Sequence, residues 1–214
     1  MANMNTFIQN DANKKTMPEV AAMVPEFNTA VNTYIATAVK QLDMRIQNRP
    51  KEEEFVKNID ELISKAADFR TNVRRMINNA ETPEEAIIYF VNYDRISNIS
   101  IDMANIKNDF SNAVAYSNLQ SLLHIEPILK EINTNLSNIR DSLNNRNLIN
   151  NITTLVNDST KLINDYNYLK NIYTEMQNIA VSRTESLKTM EQMIEKVKDA
   201  VNNITKISSA KSAL

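Results

Sequence analysis

The chain has 214 residues, 43% hydrophobic and 23% charged, with a net charge of −2, so it holds enough apolar material for a sizeable core and offers no overall field for nucleic acid. Glycine, cysteine and tryptophan are all absent, where an average chain of this size would carry roughly 15 glycines. Phosphate-cradling loops, nucleophile elbows, EF-hand loops and primed hairpin turns thereby lose their usual backbone, and disulfides, thiolate nucleophiles and cysteine metal sites are excluded.

Residues 1–17 read as a flexible polar arm with no apolar core of a signal peptide, and no later run reaches the 18 apolar residues of a membrane span. The expectation is a soluble chain, not Sec-exported, without a transmembrane segment. Five Asn-x-Ser/Thr sequons, at Asn98, Asn135, Asn151, Asn157 and Asn203, are what asparagine-rich composition produces by chance.

Residues 18–47 carry Val24, Phe27, Val31, Ile35, Leu42 and Ile46 on one helical face, and Gln47-Asn48-Arg49-Pro50 is expected to end that helix, since proline stops propagation. A second helix, 51–79, opens on Glu52-Glu53-Glu54, where carboxylates favour the positive end of the helix dipole. It carries Phe55, Ile59, Leu62, Ala66, Phe69, Val73 and Met76 in heptad steps and ends at Asn78-Asn79. Arg70, Arg74 and Arg75, with Arg45, Arg49 and Lys51 upstream, form a basic patch that reads as a solvated face, given the net negative charge.

Thr82-Pro83-Glu84-Glu85 combines an N-cap threonine, proline at the first helical position and glutamate at the third, a capping box that starts a helix over 83–123. Its core face is Ile96, Ile99, Met103, Ile106 and Phe110, leading toward Leu122. Near its start, EEAIIYFVNYDRI is the segment most suited to lipid contact, though its apolar run is short. Pro127 marks either a kink or a new start, and the lone histidine, His124, lacks the partners of a zinc site or a triad.

From Ile125 the apolar residues step by four and three through Leu129, Ile132, Leu136, Ile139 and Leu143, a helix over 127–143. The next step, Leu143 to Leu148, is five, which does not return to the same face. The asparagines between them therefore read as the tip of an αα-hairpin, with asparagine supplying the left-handed C′ residue that glycine usually provides. A final helix, 148–207, keeps the rhythm through Ile152, Leu155, Ser159, Leu162, Tyr166, Leu169, Tyr173, Met176, Ala180, Arg183, Leu187, Met190, Ile194, Val197, Val201 and Ile204, roughly 85–90 Å if unbroken.

The fold expected is all-α: an elongated antiparallel helical bundle of about five helices with a coiled-coil hairpin and no sheet. Its regions are the arm 1–17, a bundle region 18–123, the hairpin 124–207 and a polar tail 208–214, joined in one continuous domain. No acidic pair, Glu84/Glu85 or Asp141/Asp158, is fixed at a catalytic or metal-binding spacing, so no enzyme activity, cofactor, metal or small-molecule substrate is expected. The candidate site is a protein interface: Arg183, which interrupts the seam, with Leu187, Met190, Ile194, Val197, Val201 and Ile204. The expected role is a structural or assembly component of a larger complex, with other protein chains as partners and a virion or host cytoplasm as location. The alternative is a membrane-active or cell-surface helical protein, such as an α-helical pore-former subunit.

Overall fold

In a computed structural model, residues 18–116 and 118–212 are described, with side chains to residue 206. The arm 1–17 and the end of the polar tail lie outside the described residues. Every described element is a helix: α1 (Pro18–Asn78), α2 (Pro83–Tyr116), α3 (Leu119–Leu123), α4 (Ile125–Ser142) and α5 (Arg146–Ser212).

Two boundaries differ from the sequence expectation. Residues 18–78 form one helix, so Gln47–Pro50 does not end it and Glu52–Glu54 do not begin one. A proline inside a helix removes one backbone hydrogen bond and costs about 3 kcal/mol. Side-chain bonds on both sides of Pro50 offset that loss: Tyr168 donates to the buried Asn48 (3.0 Å) and Tyr173 to Glu52 (2.6 Å), while Arg49–Glu53 and Lys51–Glu54 pair along the surface. The second difference is that α2 stops at Tyr116, not near 123, and Leu122 belongs to the separate short helix α3. Pro127 is the third residue of α4, where its missing N–H is an orphan anyway, so it marks a new start.

The described residues divide into two compact units, 45–175 and 18–44 with 176–212. The 45–175 unit is a four-helix bundle of α1, α2, α4 and α5, with α3 leading into α4. Neighbours run antiparallel: Asp60 of α1 meets Lys107 of α2, Asn92 of α2 meets Ser142 of α4, Glu126 of α4 meets Lys170 of α5, and Lys65 of α1 meets Asp158 of α5. Each helix contributes a strict four-three stripe, the pattern that keeps a seam on its neighbours in left-handed packing. Phe55, Ile59, Leu62, Ala66, Phe69 and Val73 meet Ile96, Ile99, Met103, Ile106 and Phe110, with Leu129 to Ile139 and Leu148 to Leu169 closing the core. Phe55 packs on Phe110 (ring centroids 4.6 Å) and on Tyr166 (6.2 Å).

The hairpin corner falls at 143–145, and Leu136, Ile139, Leu143, Leu148, Ile152 and Leu155 are buried across it. The described asparagine chemistry at this corner is capping. Leu143 ends α4 in extended backbone (φ −96°, ψ 142°), and Asn145 caps α5 through Oδ1, which accepts from the amides of Asn147 (3.0 Å) and Leu148 (3.1 Å). Asn118 does the same for α3, accepting from Gln120 and Ser121. In this glycine-free chain Asn118 and Asn145 each start a helix by accepting from orphan amides.

Candidate interaction surface

The 18–44/176–206 unit holds the sequence-predicted interface residues. Its two segments run antiparallel, since α1 leaves the unit at Met44 and α5 enters it at Met176. On α1 the buried residues are Val20 and Ala30, with Phe27, Tyr34 and Gln41 half-buried at seven-residue steps from Val20. On α5 it is Ile179, Ser186 and Met193, again one heptad apart. Much of this inner face is small or polar.

The strongest apolar residues lie one position further on. Ile35 (46% exposed), Val39 and Leu42 (58%) on α1, and Leu187 (42%), Ile194 (46%) and Val201 (42%) on α5, stand open. In an antiparallel pair, the residue following each inward position falls on the same flank of both helices, because one helix turns in the opposite sense to the other. Ile35, Leu42, Leu187 and Ile194 each follow an inward position and so share one side of the pair, with Val39 four residues from Ile35 and Val201 seven from Ile194 continuing the same stripes.

This alters the sequence reading in two places. The face Val24, Phe27, Val31, Ile35, Leu42 splits: the first three are half-buried and the last two are exposed, while Ile46, further along α1, is exposed as well. The seam Ala180 to Ile204 is not the face α1 covers; cover has turned by one residue onto Ile179, Ser186 and Met193. Of the candidate residues, Leu187, Ile194 and Val201 are exposed, and Arg183, Met190, Val197 and Ile204 are half-buried at its edge. Arg183 sits in mid-helix.

The remaining chemical candidates are absorbed by structure. Glu54 accepts from Lys51, which holds its carboxyl below the usual range, and lies 3.7 Å from Lys161. Asp141 pairs with Arg140 and Asp158 with Lys65, and Glu85 accepts from the Glu81 amide and from Tyr89. Glu126 is held down to about 2, first by the hydrogen bond from Lys130 (2.7 Å) and then by that from Lys170 (2.5 Å). Tyr166, wholly buried, donates to the Leu122 carbonyl at the α3–α4 break, and burial pushes its hydroxyl up to about 12. Its ring also lies 6.0 Å from Lys170 Nζ. His124 is exposed between α3 and α4, its amide donating to Leu122. Among the described residues no group of three acidic or imidazole side chains could hold a metal ion.

On α2, Ile87 (62%) and Phe90 (63%) are exposed side by side, three residues apart, with Val91 beside them. Among the described residues no helix is long and apolar enough to cross a membrane. No protein-family model matches the chain, and no characterised protein or solved structure shows significant similarity to it.

Proposed function

We propose that the chain is a non-enzymatic structural or assembly protein, a coiled-coil component of a larger complex such as a phage or virus particle, working by protein contact in the virion or host cytoplasm. The observation that carries this reading is the open flank of the 18–44/176–206 unit, where six large aliphatic residues, spaced four and three apart on α1 and seven apart on α5, face solvent. Soluble monomers rarely leave contiguous apolar surface beyond a few hundred Å². Covering it with protein stabilises by removing that surface from water. Arg183, half-buried beside the flank, sets the register of the contact and limits wrong pairings.

The test is the triple variant Met190→Ser, Ile194→Ser, Val197→Ser, followed by light scattering and circular dichroism. The reading expects a defined oligomer or filament for the wild type, and a lower mass with most helicity retained for the variant. A wild type monomeric at tens of micromolar, with a variant that unfolds, would overturn it.

A second reading, membrane activity, draws support from Ile87 and Phe90 on the outer face of α2. Co-sedimentation with vesicles, lost in Ile87→Ser with Phe90→Ser, is its expected signature, and no binding by the wild type rejects it.

A further inference from the structure

We infer that the occupant of the open flank is a second copy of the same chain, with the α5 segments of the two copies packed antiparallel about a two-fold axis between Glu195 and Lys196. The inference rests on the assembly reading above and names its partner. Three observations on the unit argue for self-pairing.

The first is stoichiometry of helices. In the 45–175 unit the same four-three repeat is buried by four helices, whereas the 18–44/176–206 unit supplies two from one chain. Two copies supply four, and a two-fold axis perpendicular to the helices makes each contact self-complementary.

The second is layer matching. In an antiparallel pair each residue at the first core position of the heptad meets one at the second core position across the axis. Aligning Ile194 of one copy with Val197 of the other brings Met190 to Val201 and Leu187 to Ile204, every layer apolar. In this alignment the flanking positions facing the other copy are Glu191 and Lys198, each meeting the opposite residue of the other copy, so two ion pairs form symmetrically. A parallel alignment would instead put the two copies' Glu191 residues on opposite flanks, and likewise their Lys198 residues, so neither ion pair would form. Lys198 is exposed and reaches only its own helix, pairing with Glu195, and Glu191 is exposed with no ion pair among the described residues, so both are placed for the new contact.

The third is area. Six side chains at 42–58% exposure leave on the order of 500 Å² of apolar surface per copy, so two copies remove about 1,000 Å² from water, enough for a weak but specific pair. The dissociation constant expected is therefore micromolar.

Sedimentation equilibrium of the full chain, from about 1 to 100 μM, reads the result. The wild type should form a dimer. Glu191→Lys or Lys198→Glu alone places like charges at both symmetric contacts and should weaken the dimer about five- to thirty-fold at low salt, while the double reversal returns it to within about threefold of wild type. Because the chain has no cysteine, orientation can be read separately: a mixture of Glu191→Cys and Lys198→Cys chains, joined by a short bifunctional maleimide, should cross-link between the two variants and far less within either. A dimer in which the Glu191→Cys and Lys198→Cys chains do not cross-link to each other overturns the inference. So does a dimer that the charge reversals leave unchanged, even while the serine triple variant abolishes assembly, an outcome that keeps the assembly role and removes only the self-pairing. A monomeric wild type whose serine variant unfolds removes both.

Discussion

Thr82→Ala deletes the oxygen that accepts the Glu85 amide at 3.2 Å and should destabilise the chain by about 0.5–2 kcal/mol in urea melts. Glu85 completes the cap by reaching back to the Glu81 amide, one residue before the position a standard capping box uses, so Glu85→Ala removes a different bond from Thr82→Ala. Glu126 gives a pH-dependent case. Its folded value, about 2, lies below the unfolded value of 4.5, so the stability it contributes is present above pH 4.5 and is lost as pH falls toward 2. Glu126→Gln should therefore flatten the acid limb of the melting temperature between those limits and change it little at pH 2. A variant whose acid limb follows the wild type would show that Lys130 and Lys170 do not act through this carboxylate.

Pro50 belongs to the scale of the element. It sits inside α1 and denies the Ile46 carbonyl its helical partner, so Pro50→Ala should raise thermal stability, by about 1–3 kcal/mol once the looser unfolded chain is allowed for. A loss of stability would mean that the proline holds a bend the packing requires. The same residue shows where sequence reasoning stopped. The four-three spacing of Phe55 to Val73, Ile96 to Phe110, Ile125 to Leu143 and Leu148 to Leu169 names the buried stripe of every bundle helix, because burial alone imposes that period. The capping box and the hairpin corner were legible for the same local reason. The passage of α1 through Pro50 was not, since it depends on Tyr168 and Tyr173, more than a hundred residues away. The end of α2 at Tyr116 was equally hidden, because the spacing from Phe110 toward Leu122 permits one helix. For the candidate surface, the apolar letters were legible, but which of two adjacent stripes α1 covers is decided by small and polar residues, Ala30 and Ser186, that carry little signal by themselves.

For the whole molecule, amide hydrogen exchange should divide along the two units. Amides in 55–73, 96–113, 129–139 and 152–173, beneath a closed four-helix core, should exchange slowest. Those in 18–44 and 179–204 should exchange faster at low concentration and slow as concentration rises, since their second pair of helices comes from another copy; uniform protection at every concentration would count against that. The bundle also answers a difficulty that heptads create for themselves. A repeat of seven lets one helix slide by two turns and still lay aliphatic residues on aliphatic residues, so several alignments of nearly equal energy compete. Asn92, buried and exchanging hydrogen bonds with Ser142 at 2.9 and 3.2 Å, makes this reciprocal pair in only one of them. Asn133, which donates to Ser159 across the α4–α5 contact, is a second such marker. A slipped bundle would part the buried Asn92 from Ser142, at about 1–3 kcal/mol, and would also break the half-buried Asn133–Ser159 bond. That penalty is enough to make a degenerate sequence single-valued: two asparagines select one alignment from a ladder of near-equals.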